Sequence, residues 1–380
     1  MDFPDYFYPV DFAVFRGEGQ IVNKTSLGKY IEDVTGKLNY YRPSELDVAI
    51  IGVPYDNGNI SGGSALSPDK IRSYLYNLAP FGKKLTICDL GNLKPATTKK
   101  GTFLGLRDII EYLNEEKIFT VVIGGSQDLT SGICEALKSN KFLTLSVADA
   151  VADIKKGIET YNSSNYLTDI FKKLPGLFQF NLIGYQNHLV GEKYLSKIEK
   201  YGESLRLGQL RDDFTQTETI LRNSDILSLD MSVINYSFAP ASGLKNPNGL
   251  RGEEVCRLAR FAGLSNRMKV FGLFELFPED DTDDITIKLA AEIIWYLLDG
   301  ITHRPVNEQK VWYKVAIDGL DKPLIFCQDT ETNRWWFEIS SLEGEKINIA
   351  CSEKEYRQAA NNEIPVRWIK FMQKIDAFSK

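Results

Sequence analysis

Histidine is almost missing. The 380-residue chain has two, His188 and His303, which excludes a metal site built from several imidazoles and leaves few histidine acids or bases. No CxxC pair occurs. Cys88, Cys134, Cys256, Cys327 and Cys351 lie far apart, as buried thiols of a reducing compartment do, so a cytoplasmic protein is expected. Long apolar runs are absent too. The longest, around Leu289–Leu298, is broken by Glu292 and is too short for a bilayer, so no membrane insertion is expected. No Lys/Arg cluster stands out, and a net charge of −6 argues against a nucleic-acid partner. The opening MDFPDYFYPVDF lacks the basic start of a secretory signal. What is present, 43% hydrophobic and 25% charged residues, is ordinary globular composition. The length allows one large α/β domain plus an appendage, or two domains.

Short apolar runs alternate with helical stretches. Asp47–Pro54, Lys84–Cys88, Phe119–Ile123, Phe142–Val147, Phe180–Gly184, Ile226–Asp230 and Met268–Leu276 read as buried strands. Helices are expected from Pro68, over Thr102–Glu115, near Leu129–Leu137 and near Glu253–Ala262. A last one starts from a Thr282-Asp283-Asp284 cap and stops at Gly300. This pattern predicts an α/β fold with a mainly parallel sheet covered on both faces. From about Pro305 the style changes to three aromatic-rich runs, VWYKVAI, PLIFCQD and RWWFEIS, which suggest an antiparallel meander. Helices over Glu353–Ala360 and Pro365–Ile375 follow. The expected division is therefore 1–304 for the α/β domain and 305–380 for a β-meander-plus-helix appendage, whose tryptophans form a small core.

Leu227–Leu250, LSLDMSVINYSFAPASGLKNPNGL, carries the strongest hint of a site. A buried strand ends on Asp230, Ser232 follows at i+2, and a Pro/Asn/Gly-rich loop comes next. Ligands of open α/β sheets bind beyond the carboxyl ends of strands. Taken alone, Asp230 reads equally as a ligand or as a loop cap.

Several stretches together resemble the ureohydrolase family of arginase, agmatinase and especially formimidoylglutamase. They are IGVPYDNG with GGSALSPDKIRSYL, VVIGGSQD, ADAVAD, SLDMS with FAPASGLKNPNGL, and FGLFELFPEDD, in family order across roughly residues 45–300. The resemblance implies a three-layer α/β/α arginase-like fold and hydrolysis of a guanidino or formimino C–N bond by a hydroxide held between two manganese ions. It also implies that the positions of Asp149 and Asp230 bridge both ions, and that those of Gln127 and Asp153 complete the shell of one.

Three family ligands are replaced. Gln127 and Val151 stand where the family has histidine, and Ser232 where it has aspartate. Valine cannot ligate, so the second metal position is lost. Asp149, Asp153 and Asp230 with the Gln127 amide leave an all-oxygen set, so no cofactor is expected or at most one Mg²⁺, Ca²⁺ or Mn²⁺. Glu275 matches the family's guanidino-binding glutamate, and Asn165 lies in NSSNYL, where relatives contact substrate. His188 and His303 match no ligand position.

The reading that follows is a ureohydrolase-fold protein with a degraded two-manganese site, leaning to a non-enzyme that binds, scaffolds or regulates through a protein partner or a homo-oligomer. Two alternatives stay open. One is a guanidino/formimino hydrolase using one metal or none, and the other is a sensor of a small amidino ligand.

Overall fold

A computed structural model of the chain describes residues 3–11, 26–33, 45–56, 62–155, 160–307, 309–341 and 344–378. The middle of the Gly/Ser/Asn-rich loop after Pro54 lies outside them.

Among the described residues the main sheet has ten strands: β1 (Phe7–Tyr8), β2 (Ile31–Asp33), β3 (Val48–Val53), β4 (Ile87–Leu93), β5 (Phe119–Gly124), β6 (Leu143–Ala148), β7 (Leu177–Tyr185), β8 (Gly202–Arg206), β9 (Ile226–Asp230) and β10 (Val270–Phe274). Their order is β1-β4-β3-β5-β10-β9-β6-β7-β8, with β2 also on β4. Every pairing is parallel except β1 on β4. β3, β5, β6, β7, β9 and β10 are buried along their whole length, as strands covered on both faces must be.

Alternate residues feed two cores. Val48, Ile50, Val121 and Ile123 join helices Ser67–Leu75, Gly252–Gly263 and Ile285–Thr302 on one face. Ala49, Ile51, Val53 and Val122 join helices Lys99–Glu115, Thr130–Ala136 and Tyr166–Lys173 on the other. This is the expected three-layer α/β/α arrangement, produced by the two-residue period of the strands. All five cysteines are buried thiols. Among the described residues no helix is long and apolar enough to cross a membrane.

Several elements differ from their sequence expectation. The strand expected at Lys84–Cys88 is Ile87–Leu93. It runs on through Asp89 because the fully buried Arg72 binds that carboxylate through Nε and Nη2, both at 2.9 Å. A polar residue can then lie inside a strand, with a register shift opposite Ile50/Ile51. Asp284 of the expected Thr282–Asp284 cap does stand at the N-cap, but its side chain bonds no helix amide. Asp283 and Asp284 have positive φ, and Asp281 accepts from the Thr286 and Ile287 amides at 3.1 and 2.8 Å. Gly300 does not stop its helix, which continues to Thr302. A Cβ there would lie 2.4 Å from the Arg260 carbonyl and 3.0 Å from Gly263 Cα. This glycine lets two helices touch at backbone distance.

A second, antiparallel sheet follows: β11 (Lys310–Val315), β12 (Leu324–Asp329), β13 (Arg334–Ser340) and β14 (Lys346–Cys351). The meander therefore has four strands, not three. The fourth, KINIAC, lacks the aromatics that marked the others. Helices Glu353–Ala360 and Val366–Phe378 cover the sheet. Trp335, Phe337, Phe371 and Ile375 build a third core, joined by Phe178 of β7. Trp312 is half exposed at 49%, so the aromatics divide between core and surface.

Candidate active site

Four adjacent central strands, β5, β10, β9 and β6, deliver the site at their carboxyl ends, where α/β sheets bind ligands. Gln127 opens a 3₁₀ turn just past β5. Glu275 follows β10, Asp230 ends β9, and Asp149 and Asp153 follow β6. Residues far apart in sequence converge because parallel strands all finish on one edge.

Asp149, Asp153 and Asp230 each offer a carboxylate oxygen within 4.8 Å of the others, all three buried. No described Lys, Arg or His pairs with them. Asp149 Oδ1 accepts from the Val151 amide at 3.0 Å and from Ser232 Oγ at 2.9 Å. Asp230 Oδ1 accepts from the Ser232 amide at 2.6 Å. Burial pushes Asp149 up to about 6, opposed by these hydrogen bonds. Asp153 is raised well above the carboxylate range, first by burial and then by Asp149 and Asp230. Asp230 is raised for the same first reason, then by Asp149 and Glu275.

Gln127 Oε1 is buried with no donor, and Asp149 Oδ2 has none from an amide, hydroxyl or amine, while the Asp153 carboxyl shares a hydrogen bond with Asp149. The Gln127 amide is turned by its Nε2, which donates to Ser228 Oγ at 3.2 Å. Buried acceptors left unpaired are costly, and a divalent cation satisfies them while neutralising the acids. Asp149, Asp153, Asp230 and Gln127 thus fit one hard cation. Val151 has no ligating atom, and the Ser232 hydroxyl is spent on Asp149.

Glu275 sits beside this cluster with φ at +61°, rare for a side-chain-bearing residue and worth reading as functional strain. Its Oε1 accepts from the Gln127 amide at 2.8 Å, and the Ser163 hydroxyl donates to the same carboxylate. Burial foremost lifts its pKa to about 7, with Asp128 and Asp149 adding to the rise. Its carbonyl accepts from the Gly243 amide at 3.3 Å. A Cβ on Gly243 would lie 3.6 Å from Glu275 Oε2 and 3.1 Å from Phe277. The Pro/Asn/Gly-rich loop is therefore a wall of the site. Asn246 Nδ2 fastens it to the Ser232 carbonyl at 3.3 Å, and Gln186 Nε2 to the Asn248 carbonyl at 2.9 Å.

Other residues fall elsewhere. The Asn165 amide is taken up by its own loop, accepting from the Asn162 amide and donating to the Thr160 carbonyl, both at 3.0 Å. Its neighbour Ser163 is the one that reaches Glu275. Asp128 neither enters the acid cluster nor caps the helix. Lys99 Nζ holds it at 2.7 Å, under a Tyr161 ring 4.2 Å away. His188 and His303 are exposed. Sequence reasoning missed Tyr166, whose buried hydroxyl has no partner and whose pKa burial raises, followed by the charges of Asp153, Asp149 and Asp230. An aromatic opening a helix reads as core, and nothing in its spacing marks it otherwise.

A three-layer α/β/α fold with a buried acidic cage at the carboxyl edge of its mainly parallel sheet is the class of protein that fold and site define. The Arginase family profile matches residues 46–299. The chain belongs to the arginase family. It is 25% identical over 325 residues to formimidoylglutamase of Clostridium tetani, covering 77% of this chain and 91% of that one. It is 24% identical over 277 residues to N(1)-aminopropylagmatine ureohydrolase of Thermococcus kodakarensis, covering 68% and 92%. The fold matches Trypanosoma cruzi formiminoglutamase, solved with Mn²⁺, at a TM-score of 0.65 and 19% identity, covering 70% of this chain and 96% of that one.

These findings correct the expectation of a non-enzyme. The relatives matched along nearly their whole length are hydrolases by name, and no observation positively marks this site as inactive. Of the three replaced positions, Val151 and Ser232 belong to one ion's shell, while Gln127 keeps an amide oxygen beside the acids. The replacements leave the acid cluster, the Glu275 position and the enclosing loop in place.

Proposed function

We propose that the protein hydrolyses a formimino or guanidino C–N bond with a single divalent cation, in the manner of a formimidoylglutamase-like ureohydrolase. The observation that carries this reading is Glu275, a strained, buried carboxylate fixed by the Gln127 amide and Ser163 beside three further acids. An amidinium group is planar, cationic and rich in N–H donors, and a buried carboxylate is its natural partner. Bound there, it also offsets the like-charge repulsion that raises Glu275.

Asp149, Asp153, Asp230 and Gln127 would hold the cation, which supplies acidity to a bound water. An oxygen of the Asp149 carboxylate that the cation does not take would serve as the general base. It takes a proton as water adds to the amidine carbon. The tetrahedral adduct then breaks its C–N bond, and the departing nitrogen receives that proton. Tyr166 supplies a buried hydroxyl toward the same acids. The loop through Gly243 and Asn248 limits access of bulk water.

The test is turnover of formiminoglutamate, agmatine and arginine by the full chain supplied with Mn²⁺ or Mg²⁺. Cleavage of one of them, abolished in Glu275→Gln with the fold retained, supports the reading. No turnover of any under every cation condition overturns it.

A further inference from the structure

We propose that Lys99 is a positioning residue of the active site, its ammonium stapling together the two segments that grip the Glu275 carboxylate. This deepens the hydrolytic reading and rests on it, since Glu275 is there the partner of the amidinium group. The Glu275 backbone is held at a φ of +61°. Its side chain is placed by donors from elsewhere in the chain, among them the Gln127 amide at 2.8 Å and the Ser163 hydroxyl. Whatever fixes those two donors also fixes the amidinium partner.

Lys99 reaches both segments from a third. It opens the helix Lys99–Glu115. Its Nζ lies 2.7 Å from Asp128 Oδ2 and donates to the Tyr161 carbonyl at 2.9 Å. Asp128 braces the turn that carries Gln127, because its Oδ1 accepts from Ser126 Oγ at 2.7 Å and so bridges across Gln127. Tyr161 stands two residues before Ser163 on the other segment. One ammonium thus touches the carriers of both Glu275 donors while belonging to neither.

The surroundings hold the ammonium in this one place. The Asp128 side chain is fully buried and that of Lys99 is 30% exposed, so solvent screens the pair less than it screens a surface ion pair. Nζ lies 4.2 Å from the centroid of the Tyr161 ring and 5.7 Å from that of Phe103, where ring faces attract a cation. Phe103 is itself wedged edge-on between Tyr55 and Tyr161, at centroid distances of 5.7 and 6.1 Å. The Tyr161 hydroxyl adds a neutral tie between the two segments, donating to the Asp128 carbonyl at 3.1 Å. Loss of Lys99 therefore loosens the grip on Glu275 without opening the site.

The experiment measures, by calorimetry on the full chain in the presence of Mg²⁺, the binding of two probe cations, guanidinium and formamidinium at millimolar concentration. Lys99→Met weakens both by about tenfold, the order of one charge-assisted hydrogen bond, and Lys99→Arg restores most of the loss. The sign of the change discriminates. Removing a positive charge beside the site by itself strengthens the binding of a cation, so weakening reports displaced donors. Lys99→Met combined with Asp128→Asn removes the pair with no change in net charge and no buried carboxylate left unpaired, and the tenfold loss persists. Parental or tighter binding in Lys99→Met overturns the proposal and leaves Glu275 as the amidinium partner. So does parental binding in the double variant when its circular dichroism matches the parent. A parent chain that binds neither probe overturns the assignment of Glu275, and this inference with it.

Discussion

Removing and restoring a divalent cation tests the acid cluster most directly. Three buried carboxyl groups with oxygens within 4.8 Å repel in the cation-free protein, and a bound ion turns that repulsion into attraction. At a cation concentration a hundredfold above its dissociation constant, the native state gains about 2.7 kcal/mol. Unfolding entropy near 2.1 cal/mol/K per residue gives about 0.8 kcal/mol/K for 380 residues, so Tm rises by about 3 °C. Asp230→Asn removes one of the repelling charges. The cation-free variant is then at least as stable as the parent, while its cation-induced shift is lost. The assay is scanning calorimetry of chelator-treated protein with Mn²⁺, Mg²⁺ or Ca²⁺, together with metal content by mass spectrometry. Close to two ions per chain refutes the argument from Val151 and Ser232. A full shift surviving in Asp230→Asn, or no shift with any cation, refutes the cluster as a ligand set.

Two further predictions follow from the geometry. Glu275 has its folded pKa raised to about 7 from an ordinary 4.5. The native state therefore holds the extra proton between those values, so stability from this group is present at low pH and declines as pH rises through that window. Guanidinium binding, which needs the ionised form, weakens about tenfold for each unit below pH 7; Glu275→Gln flattens both profiles, and an unchanged binding profile in that variant assigns the titration elsewhere. Gly300→Ala drives a methyl to within 2.4 Å of the Arg260 carbonyl, so urea melts should show a loss of about 1–3 kcal/mol; a neutral result contradicts the close helix contact.

The sequence by itself determined the layered architecture and the identity of the acids. Strand runs such as Val48–Val53 and Phe119–Gly124 are apolar at all but Thr120, as a sheet covered on both faces requires. Asp149, Asp153, Asp230 and Glu275 each follow such a run, and a strand end is readable without coordinates. Local pattern carried no information where a long-range partner decided the outcome. Asp89 stays within a strand because Arg72 is buried beside it, and Gly300 continues a helix because Gly263 lies against it. KINIAC pairs as a strand because RWWFEIS offers it an edge.

Tertiary structure alone decided how the site's polar atoms are spent. It gave the Ser232 hydroxyl to Asp149, the Asn165 amide to its own loop and Asp128 to Lys99, while leaving Gln127 Oε1 and the Tyr166 hydroxyl without partners. Hydrogen bonds and charge pairs at sequence separations of tens to hundreds of residues depend on how the layers pack, and no spacing along the chain encodes them.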